Sequence, residues 1–145
     1  MPTFEHQDEV RDSETDVAGV VNHANFLDYM ANARHKHLRA LGLDFQALLA
    51  RGLMLVATKI DIRFRQPLFA GDQYCVTSQL IQPKGKQFGF EQQVLRLPDR
   101  SLVAKAVVQA ACVDCQSNTP SLPEDMLRLL TEDLASEAVC DQLAE

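Results

Sequence analysis

Between residues 16 and 26 the chain reads Asp-Val-Ala-Gly-Val-Val-Asn-His-Ala-Asn-Phe: a carboxylate, a turn at Gly19, then a polar pair ahead of an apolar period. Asn22 is a helix-capping residue type, whose side-chain oxygen takes a first-turn N–H. Behind such a cap the N–H groups of His23, Ala24 and Asn25 stand at the positive end of a helix dipole. One of them can stabilise the oxyanion that forms when a carbonyl is attacked. Asp16 lies seven residues before His23, across the Gly19 turn. From there it can attack the carbonyl itself or activate a water against it. A carboxylate beside a turn also has a purely structural use, accepting N–H bonds within the turn. The residue types leave both readings of Asp16 standing.

Other chemistries find little support. The sequence holds no G-x-S-x-G elbow, no Walker A loop and no H-E-x-x-H pair. His35 and His37 fall about 200° apart on a helix and cannot share a metal. The cysteines are Cys75, Cys112, Cys115 and Cys140. Cys112 and Cys115 form a C-x-x-C within a strand-like run, where residues three apart face opposite sides. No second pair completes a zinc site. We expect small apolar residues in a reducing compartment, and no metal or cofactor. A net charge of −6 over 145 residues gives a nucleic-acid partner no electrostatic support. No apolar run approaches the ~20 residues of a membrane span. The polar, acidic opening is unlike a signal peptide, so the expectation is a cytoplasmic protein with no membrane partner.

The elements that must position Asp16 are a helix and a sheet. From His23 a period near 3.6 puts Phe26, Leu27, Met30, Ala33, Leu38 and Leu41 on one face. Arg34 and His37 fall on that same face and are expected to be satisfied inside or at an interface. Gly42 stands where a helix-ending glycine belongs. A short helix follows, with Asp44 as cap and Gly52 as stop. From Leu53 the period becomes 2. Val56, Thr58, Ile60, Ile62 and Phe64 alternate with Ala57, Lys59, Asp61, Arg63 and Arg65. Turn signals at 70–72, 83–86 and 98–100 separate this strand from three more. Short links imply an antiparallel meander of four successive strands, with a weaker opening strand within 3–12 and the long helix covering the sheet. The length suits one domain, residues 1–145, closed by an acidic helical tail at about 121–145 with Pro123 near its start.

The stretch from Thr15 to Arg34 resembles the helix-entry motif of the hot-dog-fold acyl-CoA thioesterases, the 4-hydroxybenzoyl-CoA thioesterase-like family. The run from Ile60 to Asp72 resembles that family's first long strand and its Gly-Asp turn, and the likeness covers roughly residues 3 to 118. The resemblance implies an α+β hot-dog fold, an antiparallel sheet wrapped around one long central helix. It implies hydrolysis of an acyl-CoA thioester to free acid and coenzyme A, without metal or bound cofactor. Asp16 then matches the catalytic carboxylate, and His23 the position whose backbone N–H polarises the thioester carbonyl. Candidate substrate and coenzyme contacts are Gly19, Asn22, Phe26, Arg63, Lys84 and Lys86; the two lysines fall where an aromatic-acyl member carries basic residues against coenzyme A phosphates. Asp12 stands where one branch has a tyrosine. Asn22 replaces a common aromatic, which tilts the expectation towards a fatty acyl group. A thiolate leaves without much acid help, since a thiol pKa is near ~8.5. The basic residues Lys59, Arg63, Arg65, Lys84 and Lys86 can meet a polyanionic coenzyme, or can be a solvated strand face.

The resemblance also implies a homodimer or homotetramer with the site at a subunit interface, and an open strand edge argues the same way. Two other activities fit the same fold: a hydratase or dehydratase of acyl thioesters, and a catalytically silent acyl-CoA-binding protein.

Overall fold

The computed structural model describes residues 3–133. Asn22 starts the central helix as its residue type implies: its Oδ1 accepts the Ala24 N–H at 2.8 Å, and α1 runs His23–Ala40. The helix stops at Gly42, whose φ of +94° is a backbone that glycine takes without a Cβ penalty. There the Leu43 N–H returns to the Leu38 carbonyl at 2.9 Å and the Gly42 N–H to that of Arg39 at 3.0 Å, closing two orphan carbonyls. The buried stripe of α1 is Phe26, Tyr29, Met30, Ala33, His37 and Leu38. Leu27, expected on that face, is 41% exposed, and Tyr29 takes its place. α2, Phe45–Ala50, is capped by Asp44 as expected.

Five strands form one antiparallel sheet: β1 Phe4–Glu9, β2 Leu53–Phe64, β3 Gln73–Lys84, β4 Gln87–Arg96 and β5 Ser101–Asp114, in the order β1-β3-β4-β5-β2. The expected four-strand meander is therefore corrected. Strands β3, β4 and β5 are a meander on tight hairpins, but β2 pairs with β5 at the far edge. The reason lies in the link between Phe64 and Gln73. It buries Leu68 completely, then meets the end of β1 through Val10 N–H to the Asp72 carbonyl and Gly71 N–H to the Val10 carbonyl. The chain thus crosses the end of the sheet and enters β3 beside β1.

A second correction concerns β2 itself. Ala57 pairs with Ala110 and Lys59 with Gln109, so Thr58 is an extra residue in a bulge. A one-residue offset exchanges faces. Leu53, Leu55 and Ala57 therefore join Ile60, Ile62 and Phe64 on the concave side, and Val56 turns outward.

The sheet curls around α1, the hot-dog arrangement, and the core is divided along the helix. Phe26, Tyr29, Met30, Leu68, Tyr74, Val76 and Val94 pack near its start. Leu38, Leu48, Leu80, Phe88, Phe90 and Val108 pack near its end, where Met126 and Leu130 of a helical stretch over 124–133 complete the cluster. Arg34 and His37 are satisfied inside, as expected. Arg34 donates to Gln92 Oε1 at 3.0 Å, and Gln92 in turn donates to the Met30 carbonyl. His37 lies 3.0 Å from Ser78 Oγ through Nδ1 and 3.4 Å from Asp133 Oδ2 through Nε2. The rest of the expected acidic tail, with Cys140, lies outside the described residues. Among the described residues no helix is long and apolar enough to cross a membrane.

Candidate active site

Asp16 builds its own turn. Its Oδ1 accepts the Ala18 N–H at 2.8 Å and the Val20 N–H at 3.4 Å, while its backbone N–H and carbonyl close on Val20 and Gly19 at 2.9 Å each. Gly19 has φ +78°, which is what permits so tight a reversal. One oxygen of the carboxylate is thus anchored, and Oδ2 carries no hydrogen bond among the described residues. The exposed carboxylate lines an open cleft of about 570 Å³.

The facing wall is the start of α1. The expectation of three unsatisfied N–H groups narrows to one. Asn22 Oδ1 takes the Ala24 N–H, and the Asn22 carbonyl takes that of Asn25 at 2.9 Å. His23, the first residue of the helix, has no intrahelical partner for its N–H, and it lines the cleft. The positive end of the helix dipole therefore lines the same cleft as the Asp16 carboxylate. Asn22 and Phe26, two of the candidate substrate contacts, line the same cleft.

The third wall was not evident in the sequence. Phe64, Arg65, Gln66 and Pro67 line the cleft, at the end of β2 and the start of the crossover. Phe64 meets the Phe26 ring edge-on at 5.3 Å, giving an apolar floor. The crossover is held against the Asp16 turn by Val21 N–H to the Leu68 carbonyl at 2.8 Å and by a bridge between Val20 and Phe69. Arg96 holds it from the other side, donating to Gln66 Oε1 at 2.9 Å and to the Pro67 carbonyl. The signal in the sequence was the basic alternation; it pointed to Arg63. Arg63 lies across from Lys105 on the convex face, whereas Arg65, past the last residue of the strand, reaches the cleft.

Lys84 and Lys86 are placed elsewhere in this chain. They flank the β3–β4 hairpin, and Lys86 Nζ lies 3.4 Å from the Pro120 carbonyl. Gln87 pairs with Ala111 and Phe64 with Ala104, seven residues apart on β5. At about 3.3 Å per residue the hairpin is ~23 Å from the cleft floor. Gly19 shapes the turn without lining the cleft.

Behind the turn, Tyr29 donates its hydroxyl to Glu14 Oε1 at 2.9 Å. Burial first, then the bond to Glu14, pushes this phenol far above its ordinary value. It is a permanent donor.

Comparison with known proteins agrees with this fold. The family described as the thioesterase-like superfamily matches residues 10–130. The long-chain acyl-CoA thioesterase FadM of Escherichia coli is 33% identical over 84% of this chain and 92% of its own length. The 1,4-dihydroxy-2-naphthoyl-CoA hydrolase of Rippkaea orientalis is 32% identical over 88% of this chain and 95% of its own. The chain spans only 62% of another relative, the chloroplast acyl-acyl carrier protein thioesterase ATL3 of Arabidopsis thaliana. Among solved structures, YbaW, a probable thioesterase from Escherichia coli, superposes with a TM-score of 0.77 at 30% identity, covering 90% of this chain and 97% of that one. With the fold, the helix-entry turn and these likenesses in agreement, the chain belongs to the thioesterase-like superfamily.

Proposed function

We propose that this protein hydrolyses acyl-CoA thioesters at the cleft between the Asp16 turn and the first residue of α1. The observation that carries the reading is that, among the described residues, a carboxylate with one oxygen free of hydrogen bonds and a helix N-terminal N–H with no partner line one cleft with an apolar floor. The named relatives differ in acyl group, fatty in one and aromatic in the other, but share thioester hydrolysis. The thioester carbonyl oxygen lies at the His23 N–H. Asp16 Oδ2 either removes a proton from a water attacking the carbonyl carbon or attacks that carbon itself. In both routes the negative charge moves to the carbonyl oxygen, then returns to expel the thiolate. Water supplies the oxygen of the product acid and, in the end, the proton of the coenzyme thiol. Phe26 and Phe64 contact the acyl group near the carbonyl, and Asn22 and Arg65 border the mouth.

The working unit is a homodimer or a larger homo-oligomer. Edge strand β2 leaves one row of backbone groups without a strand partner, and Met54, Ile60 and Phe64 on it are 41%, 39% and 50% exposed. Pairing with a second subunit covers both. In such an assembly Lys84 and Lys86 of a neighbouring hairpin reach coenzyme phosphates that their own chain's cleft cannot offer them.

The test is release of free thiol from a panel of fatty and aromatic acyl-CoAs. Hydrolysis gives thiol and free acid in equal amounts. Hydration of an enoyl-CoA without thiol release would instead assign the hydratase activity, and saturable binding with neither product would assign an acyl-CoA-binding role.

A further inference from the structure

We infer that Glu14, Tyr29 and Asn25 form a brace that sets the separation between the Asp16 carboxylate and the N-terminus of α1, which makes Glu14 and Tyr29 positioning residues for the reaction. The inference rests on the proposed role of Asp16.

Glu14 ends a single 3-10 turn, Asp12–Glu14, two residues before Asp16. Its backbone carbonyl accepts Asn25 Nδ2 at 2.5 Å and the Asn22 N–H at 3.4 Å. Its Oε1 accepts the Arg11 N–H at 2.8 Å and the Tyr29 hydroxyl at 2.9 Å. These contacts differ in reach. The Arg11 bond is local and closes the 3-10 turn on itself. The Tyr29 bond is the carboxylate's one tie to the helix among the described residues. Tyr29 is itself immobile: it is 5% exposed, stacks on Tyr74 at 4.5 Å between ring centroids and meets Phe26 edge-on at 5.9 Å. Its hydroxyl is therefore presented by a ring that packing has already fixed.

Thr15 and Val21 join the two ends of the loop in a β-bridge, and its downstream side is held to the crossover by the Val21 N–H to Leu68, the Val20–Phe69 bridge and the Ala70 N–H to the Gly19 carbonyl at 3.4 Å. Among the described residues the upstream end is tied to α1 through Glu14. Between the two ends only the Asp16–Gly19 turn is left, and Asp16 Oδ1 closes that turn internally. The distance of this turn from His23 is decided by its ties to the crossover on one side and to α1 on the other. Reaction geometry is sensitive on this scale, since a misplacement of about 1 Å can cost on the order of 10² in rate.

The experiment is a double-mutant cycle on kcat with an acyl-CoA that the wild-type protein hydrolyses. Tyr29→Phe keeps the ring contacts and removes one donor. It is expected to lower kcat about tenfold while KM stays within about twofold, because the loss falls on the transition state. In the Asp16→Asn background the same change is expected to cost nothing further, because a positioning residue has no effect without the group it positions. Glu14→Gln keeps an acceptor for Tyr29 and retains kcat, whereas Glu14→Ala loses about tenfold. These two Glu14 variants, at a half-buried position on the loop, carry the test even where Tyr29→Phe impairs folding. An equal fractional loss from Tyr29→Phe in both backgrounds, or a Glu14→Ala variant with full kcat, overturns the brace. A crippled Asp16→Asn beside a fully active Tyr29→Phe also overturns the brace and leaves the site intact. Full activity in Asp16→Asn removes the site assignment itself.

Discussion

The proposed function gives Asp16 two duties in one side chain, and two substitutions separate them. The turn duty belongs to Oδ1, which accepts N–H bonds of 2.8 Å and 3.4 Å from Ala18 and Val20. Asn retains that oxygen and replaces only Oδ2 with an amide nitrogen. Asp16→Asn should therefore change stability by less than about 0.5 kcal/mol, the range of an exposed substitution that keeps its contacts. Asp16→Ala removes both bonds. The second is long and both donors are solvent-exposed, so water recovers part of the loss, and about 1 kcal/mol remains. For a chain of this size that is a fall of about 3–5 °C in Tm. The proposed chemical duty belongs to the charge and to Oδ2, which both variants lose. Each should lower kcat by about 10²-fold or more, equivalent to at least ~2.7 kcal/mol of barrier, with KM little changed.

The assays are thiol release under saturating acyl-CoA and a thermal melt on the same samples. The expected pattern is two equally inactive proteins, of which only the Ala variant melts early. A turn-only role makes the opposite forecast: Asp16→Asn near wild-type turnover, and Asp16→Ala losing activity only in step with its melting temperature. That pattern refutes the catalytic assignment. An acyl group trapped on Asp16 by rapid quench and mass spectrometry identifies it as the nucleophile of a mixed anhydride.

Changing Lys84 and Lys86 together to Ala should raise KM for acyl-CoA and leave kcat nearly alone, with the loss shrinking at high salt; an unchanged KM returns both to a solvated hairpin. Light scattering at micromolar protein should give a dimer mass or larger, and a fully active monomer refutes the edge-pairing argument. At His37, burial outweighs the attraction of Asp133 and holds the imidazole below its ordinary pKa. The unfolded chain then binds the extra proton first, so this contribution is complete above about pH 6.5 and is lost as the pH falls towards the folded-state value. Wild-type Tm should accordingly drop more between about pH 7 and pH 5 than that of His37→Gln; a wild-type gain on acidification would show that the Asp133 pair dominates.

What could be read from the sequence follows from how far apart the determinants lie along the chain. Asn22 and Gly42 act on residues within four or five positions, so the ends of α1 are written where they occur. Asp16 and His23 line one cleft for the same reason: one turn and one cap connect them. Leu27 and Tyr29 were exchanged because periodicity weighs a side chain by its hydrophobicity alone. Tyr29 can be buried only because Glu14, fifteen residues upstream, receives its hydroxyl. The Thr58 bulge and the placement of β2 beside β5 are set by partners about fifty residues away. No local alternation encodes them. The third wall of the cleft depends on this non-local step, since Phe64 to Pro67 approach α1 only because the link to β3 crosses the end of the sheet. Arg65 shows the consequence in one residue. Strand alternation pairs it with Arg63, yet the strand ends at Phe64. One position later the chain has left the pleat, so the rule that sends Arg63 to the convex face no longer applies to Arg65. The local part of the candidate site therefore holds Asp16, Asn22, His23 and Phe26, while the end of β2 and the crossover bring Phe64, Arg65, Gln66 and Pro67 to the same cleft.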